Sequence, residues 1–77
     1  MSPALGIDNA TRKKIEQIEA DIQRRLRGRV CGFRLSMHGT GLVLQGSSNT
    51  YYAKQLAQHA VMEIADWPIR ANDIEVV

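Results

Sequence analysis

The chain has 77 residues, of which 44% are hydrophobic and 23% are charged, and its formal net charge is +2. This length predicts one domain with a modest core, and this composition excludes a disordered chain. No apolar run approaches the ~20 residues that a membrane-spanning helix needs. Because the first residues also lack the basic start and apolar segment of a secretory signal, we expect a cytoplasmic protein.

Charge is distributed unevenly along the chain. Carboxylates predominate near the carboxyl end, whereas eight of the ten basic residues lie before residue 35. Segregation of this kind favours contact with anionic surfaces such as nucleic acid or acidic lipid headgroups. The eight basic residues are Arg12, Lys13, Lys14, Arg24, Arg25, Arg27, Arg29 and Arg34.

The first predicted element is a helix that begins at about Ala10 and ends at Leu26 or Arg27. Residues 1–9 are predicted to form a flexible lead-in, so the folded domain is 10–77, and Asp8 or Asn9 can cap the helix. Gly28 lies where the chain can leave the helix. An apolar stripe at helical spacing is formed by Ile15, Ile18, Ile22 and Leu26.

The side of this helix that faces away from the stripe is basic. One interpretation is an ordinary solvated face, which Glu16 and Asp21 would interrupt with negative charge. The alternative is a binding surface for phosphates or lipid headgroups. The candidate residues for such an anionic-surface site are Lys13, Arg24, Arg25, Arg27 and Arg29.

Two strands are predicted to follow as a hairpin. Residues 29–38 alternate, with Cys31, Phe33, Leu35 and Met37 on the apolar side and Val30 on the other. We therefore expect Cys31 to be a buried, inert thiol. The turn at residues 39–41 contains two glycines, so residues 42–46 should return antiparallel to the first strand.

A second helix is predicted to start between Asn49 and Tyr51 and to end before Pro68, because the residue preceding a proline avoids helical geometry. Its buried stripe is rich in alanine, which permits close packing against the sheet. A last strand follows over residues 69–77, with a bulge or kink at Asn72-Asp73. The outward face of this helix is a candidate interaction face formed by Tyr51, Gln55, Gln58 and Met62.

The element order is helix, strand, strand, helix, strand. This order predicts an α+β fold, a two-layer αββαβ sandwich in which both helices pack on one face of a three-stranded mixed sheet. The last strand is expected either parallel to the second strand or antiparallel to the first. The far face of the sheet is mixed in character, so it can stay solvated or pair with another copy.

No pattern in the sequence indicates catalysis. His38 and His59 lack a partner of the kind found in catalytic triads, and Cys31 has no clustered ligands for a metal. The turn at residues 39–41 is too short to cradle a phosphate. We expect no enzyme activity, no cofactor and no metal site.

Three segments together resemble the BON domain, a small bacterial domain named for osmotically inducible and nodulation proteins. The first is residues 41–46 (GLVLQG), the second is the helix start at residues 51–57 (YYAKQLA), and the third is residues 72–76 (NDIEV). The resemblance implies the αββαβ fold, with Gly41 and Gly46 serving tight turns or close packing and Asn72 making a local backbone hydrogen bond. The chain itself is expected to be a single-domain member. It also implies attachment to phospholipid or membrane surfaces, without catalytic residues.

Two main functions follow from the residues and the resemblance. The first is peripheral attachment to anionic phospholipid through the basic helix face. The alternative is a protein-interaction or self-association module in the cytoplasm, which would use the open sheet face, an edge strand or the outward face of the second helix. Nucleic-acid binding is disfavoured, because aromatic residues make up 5% of the chain and no Gly-x-x-Gly loop joins paired helices.

Overall fold

The computed structural model describes residues 9–77, and it confirms the predicted α+β class and the αββαβ order. The five elements are α1 (Asn9–Leu26), β1 (Val30–His38), β2 (Gly41–Ser48), α2 (Tyr51–Ile64) and β3 (Ile69–Val76). Asn9 is already helical. The rest of the predicted lead-in, and the predicted cap at Asp8, lie outside the described residues.

The three strands form one mixed sheet in the order β1-β2-β3. β1 and β2 are antiparallel, and Leu35 lies opposite Leu44. β3 is parallel to β2, with Ile74 opposite Gly46. Of the two positions open to the last strand, the chain therefore uses the one beside β2, and α2 is the crossover between them.

Both helices pack on the same face of this sheet and share one core. Ile22 and Leu26 of α1 are almost completely buried, as are Ala57 and Val61 of α2. Small alanine side chains let α2 lie close to the strands, as the sequence pattern predicts. The core contains Ile15, Ile18, Ile22, Leu26, Val30, Phe33, Leu35, Leu42, Leu44, Ala53, Ala57, Ala60, Val61 and Ile74.

The ends of the helices have identifiable causes. Thr50 is the N-cap of α2, because its side-chain oxygen accepts a hydrogen bond from the Ala53 amide at 3.1 Å. α2 ends at Ile64, and the chain turns through Asp66 and Trp67 before Pro68. Trp67 is half-buried and packs against the core.

The predicted burial of Cys31 is wrong, and so is the outward placement of Val30. Cys31 is exposed, whereas Val30 is 7% exposed and belongs to the core. The pairing of β1 with β2 shifts between Cys31 and Arg34, where Gly32 has a φ of +63°. This bulge inserts one extra residue, so the side chains before Gly32 point to the opposite faces from those that simple alternation predicts.

A second irregularity lies in β3, but not at Asn72-Asp73 as predicted. The register shifts near its start, where Ile69 pairs with Leu42 and Ala71 pairs with Val43, which leaves Arg70 as the extra residue. Asn72 instead makes the local backbone hydrogen bond that the sequence suggests, since its Oδ1 accepts from the Ile74 amide at 3.2 Å.

Side chains satisfy backbone groups on both edges of the sheet. On β1, the Leu35 amide donates to Glu19 Oε2 at 2.8 Å, and Gln23 Nε2 donates to the Phe33 carbonyl at 3.0 Å. On β3, Asn72 Oδ1 accepts a hydrogen bond from the Ile74 amide. Because unpaired edge groups invite strand addition, these contacts make both edges poorer templates for another chain.

Candidate functional site

The five candidate basic residues do not form one surface. Lys13 is eleven residues before Arg24 on the same helix, which separates their Cα atoms by about 16 Å at 1.5 Å per residue. Arg27 and Arg29 lie beyond α1, which ends at Leu26. The structure therefore divides the predicted site into Lys13 near the start of α1 and a cluster at the end of α1.

Ion pairs neutralise part of this cluster. Arg25 Nη1 lies 3.1 Å from Glu63 Oε1 of α2, and Arg25 Nε lies 3.8 Å from Asp21 Oδ2. Arg24 Nη2 lies 3.1 Å from Asp21 Oδ1, but the Arg24 side chain remains 74% exposed. Arg25 thus belongs to the contact between the helices, whereas Arg24 keeps most of its surface free.

Arg27 and Arg29 are exposed and have no ion pair within residues 9–77. The turn that carries them folds back on the helix, because the Arg27 amide donates to the Gln23 carbonyl at 3.2 Å and the Arg29 amide donates to the Leu26 carbonyl at 2.9 Å. These bonds hold both residues beside the last turn of α1. We call Arg24, Arg27 and Arg29 the arginine turn.

The arginine turn also has a structural explanation. A helix carries partial negative charge at its C-terminus, and basic side chains there stabilise it by about 0.3–1 kcal/mol each. Arg24 and Arg25 lie in the last turn of α1 and can act in this way. Arg27 and Arg29 follow the helix, so this effect accounts less well for them.

Lys14, which flanks the isoleucine stripe, makes two contacts within the fold. Its Nζ forms an ion pair with Asp66 in the loop between α2 and β3 and lies 5.7 Å from the centre of the Trp67 ring. This cation–π contact and ion pair connect the first half of α1 to the end of α2. Lys14 therefore contributes to the fold.

The candidate interaction face on α2 stays a prediction, and only part of it is exposed. Tyr51 and Met62 are 63% and 61% exposed. Gln55 donates to the Tyr51 hydroxyl at 2.6 Å, which keeps it on the same surface. Gln58 is half-buried, and its Oε1 accepts from Asn72 Nδ2 at 3.2 Å, so it belongs to the packing of α2 on β3.

The sequence pattern missed Tyr52, which is 67% exposed and adds a third large side chain to the outside of α2. Its position on the helical wheel lies toward α1. However, Tyr52 lies in the first turn of α2, and a side chain there is buried only where α1 extends alongside that turn. Its exposure shows that α1 does not cover it. The adjacent pair of tyrosines was the only signal available in the sequence.

A groove of about 360 Å³ lies between α1 and β1. Ile15 and Leu35 contribute its apolar part, and Arg12, Glu16, Glu19 and Arg34 contribute charged groups. Glu19 is already engaged by the Leu35 amide and lies 3.6 Å from Arg34 Nε. The groove thus contains a carboxylate that supports the edge strand.

No group of three or more His, Cys, Asp or Glu side chains that could hold a metal ion occurs within residues 9–77. Neither helix of this part of the chain is long and apolar enough to cross a membrane. The expectations about catalysis and cofactors therefore stay predictions, since they came from the sequence pattern alone.

Comparison of the chain with protein-family models, with curated proteins and with solved structures finds no match. The resemblance to the BON domain stays a prediction, which depends on the three motif segments quoted above. The arginine turn, the outer side of α2 and the far face of the sheet are the surfaces from which a function can be argued.

Proposed function

We propose that the protein is a non-enzymatic binding module that attaches peripherally to anionic phospholipid surfaces through the arginine turn. The observation that carries this proposal is the exposure of Arg27 and Arg29 without a carboxylate partner in residues 9–77. The BON resemblance supports it, since that family is proposed to bind phospholipid. We place the attachment at the cytoplasmic leaflet, where acidic lipids attract basic segments.

The expected affinity is low and depends on salt. Each Arg or Lys close to an acidic leaflet contributes about 1 kcal/mol, so the three arginines of the turn give a weak attachment. No exposed apolar side chain is part of the turn itself, which argues for contact with headgroups rather than insertion. Salt should release the protein, because the Debye length falls from ~8 Å at 0.15 M to ~3 Å at 1 M.

Co-sedimentation with vesicles tests this proposal. Wild type is compared on vesicles of phosphatidylglycerol with phosphatidylcholine and on vesicles of phosphatidylcholine alone. The double variant Arg27→Gln/Arg29→Gln should bind the acidic vesicles about thirtyfold less, which corresponds to the loss of ~2 kcal/mol. Equal binding of wild type to both kinds of vesicle would eliminate the proposal.

The double variant Lys54→Gln/Arg70→Gln is the matched control. It removes the same charge from α2 and β3, and neither residue has an ion pair within the described residues. It should retain nearly all binding to acidic vesicles. An equal loss in both double variants would indicate attraction by net charge alone. A labelled RNA at low salt serves as a further arm, and we expect no saturable binding to it.

Self-association, or binding of another protein in the cytoplasm, is the second candidate function. It is favoured by a specific observation, which is that no element of residues 9–77 covers the far face of the sheet. Both helices lie on the opposite face with the core. A concentration-dependent molar mass in sedimentation equilibrium would support self-association, and a constant monomer mass would count against it.

A further inference from the structure

The far face of the sheet contains three cross-strand rows of side chains. The central row is Ser36, Val43 and Ala71, as the pairing of the three strands defines it. Its side chains are small or medium in size, and Val43 at its centre is 7% exposed. The two neighbouring rows toward the end of β2 are Arg34–Gln45–Asp73 and Cys31–Ser47–Glu75.

Charge is segregated within these two neighbouring rows, whereas Arg70 of β3 lies beside Gly41 at the hairpin end of the sheet. Arg34 lies on β1, whereas Asp73 and Glu75 lie on β3, and β2 separates the two strands. Neighbouring strands lie about 4.8 Å apart, so the Cα atoms of Arg34 and Asp73 are about 10 Å apart across the sheet, and no ion pair joins the two side chains within residues 9–77. Neither Asp73 nor Glu75 has an ion pair within residues 9–77.

Arg34 retains most of its capacity to bind. Its side chain is 74% exposed, and within the described residues its one ion-pair contact is Glu19 Oε2, 3.6 Å from Nε. A guanidinium group has five donors in a planar fork, so a carboxylate can still approach the Nη atoms. One edge of the face therefore offers a cation when Arg34 turns away from Glu19 of α1, and the other edge offers a carboxylate at the same level.

This arrangement is self-complementary under a two-fold rotation about an axis parallel to the strands. Such a rotation places β1 of one copy over β3 of a second copy and β2 over β2. Arg34 then lies opposite Asp73 of the second copy, and Asp73 lies opposite its Arg34. The two copies of Val43 lie near the axis, although neighbouring side chains of the same chain already cover most of each. Ser36 faces Ala71, so the central row itself contains no large side chain that would hold the sheets apart.

We propose that two copies of this chain associate through the far faces of their sheets, with Arg34 of each copy paired to Asp73 of the other. This inference develops the self-association candidate and is independent of the arginine turn. Stacked sheets lie about 10 Å apart and are rotated by about 30°, which keeps the central rows in contact in a sheet of only three strands. In a two-fold dimer with this geometry both copies use the same surface, so no further copy can add to it.

The dimer is expected to be weak. A face of three short strands provides less than the ~800 Å² per partner of a standard interface. Association should therefore appear only at high protein concentration, and it should weaken with salt because the paired charges lie at the rim. At low concentration the protein is a monomer with a solvated sheet face.

A charge swap tests this arrangement. Arg34→Asp places two carboxylates opposite each other along both side edges of the interface. Asp73→Arg places two guanidinium groups opposite each other at the same two places. Each single variant should raise the dissociation constant at least tenfold in sedimentation equilibrium. The double variant Arg34→Asp/Asp73→Arg recreates both pairs with the charges exchanged, so its dissociation constant should return to within about threefold of wild type.

Lys13→Asp is the control, because it makes the same charge reversal on the outer side of α1 and should leave the dissociation constant unchanged. Far-UV circular dichroism verifies that each variant is folded. The proposal is overturned if wild type remains monomeric at millimolar concentration, if Lys13→Asp weakens association as much as Arg34→Asp does, or if the double variant does not recover.

Amide chemical shifts of the wild type provide a second measurement that needs no variant. Between low and high protein concentration, the shifts of Ser36, Val43 and Ala71 should change most. Changes confined to Tyr51, Tyr52 and Met62 would show association through α2 and would overturn the proposal. Vesicle binding by wild type has no bearing on this result, so the two proposals can fail separately.

Discussion

At the scale of single residues, Gly46 and Gly32 show that a position can require glycine for two different reasons. Both have a positive φ, +145° and +63° respectively. A Cβ atom at Gly32 would meet nothing within 4 Å, whereas a Cβ at Gly46 would lie 2.9 Å from the Cys31 carbonyl oxygen. Gly32 is thus selected by conformation alone, and Gly46 by conformation together with the close approach of β1.

Alanine substitutions should separate these two causes. Gly32→Ala should lower the free energy of unfolding by about 1–2 kcal/mol, which is the cost of a left-handed conformation for a residue with a side chain. Gly46→Ala should cost about 2–5 kcal/mol, because overpacking against backbone adds to that conformational cost. Urea unfolding of the two variants measures the difference. Equal costs would show that the contact with the Cys31 carbonyl is not tight.

Cys31 lies just before the bulge, and its exposure leads to a chemical prediction. A thiol-specific reagent should label the native protein completely without denaturant, because the residue lies on the open side of the sheet. Cys31→Ser should change the free energy of unfolding by less than about 0.5 kcal/mol, as expected for a surface position. Labelling that requires urea would restore the interpretation of Cys31 as a core residue.

The error at Cys31 shows what alternation can and cannot predict in a strand. Phe33 and Leu35 are buried as the two-residue period requires, since both follow the bulge. One additional residue at Gly32 reverses the phase for Val30 and Cys31. A glycine within an alternating strand is compatible with a bulge, but it is equally compatible with a regular strand, so the sequence alone could not place the reversal.

At the scale of elements, Asn72 joins α2 to β3. Its Nδ2 donates to the Lys54 carbonyl at 3.1 Å and to Gln58 Oε1 at 3.2 Å, while its Oδ1 accepts from the Ile74 amide. All three bonds are partly buried. One side chain thus fixes the helix to the strand and also occupies an amide on the sheet edge.

Asn72→Ala should therefore lower the free energy of unfolding by about 1–3 kcal/mol, because it leaves partly buried polar groups without partners. Asn49→Ala is the matched control, since Asn49 is exposed in the loop before α2 and makes no hydrogen bond with residues 9–77. The control should change stability by less than about 0.5 kcal/mol. Similar losses in both variants would mean that the Asn72 bonds do not form in solution.

Helical periodicity was the most reliable signal at this scale. The stripes of α1 and α2 are buried where the spacing of Ile22 and Ala57 predicts, because a helix has few ways to place an apolar face on a sheet. The candidate site was less predictable. Whether Arg25 is free depends on Glu63, which lies 38 positions later in the chain, and no pattern within α1 reports that contact.

At the scale of the whole molecule, charge distribution connects the fold to both proposals. Carboxylates of α2 and its loop neutralise Arg25 and Lys14, whereas Arg27 and Arg29 of the arginine turn have no ion pair within residues 9–77. The far face of the sheet carries a separate asymmetry of charge, with Arg34 on β1 and with Asp73 and Glu75 on β3. A net charge of +2 therefore describes the protein poorly, because opposite charges occupy different surfaces.

The size of the domain determines how much damage its core can tolerate. A chain of this length is expected to have a free energy of unfolding of about 4–12 kcal/mol. Ile22 is completely buried at the centre of the α1 stripe. Ile22→Val should cost about 0.5–1.5 kcal/mol and Ile22→Ala about 2–5 kcal/mol, because the larger truncation also leaves a cavity.

The alanine variant should therefore shift the urea midpoint several times further than the valine variant, while the denaturant dependence (m value) stays constant if both unfold in one step. Gln17→Ala is the control on the exposed side of α1 and should have almost no effect. If Ile22→Ala costs no more than Gln17→Ala, α1 does not pack on the sheet. The arginine turn would then lose the fixed position on which the proposed attachment to acidic lipid depends.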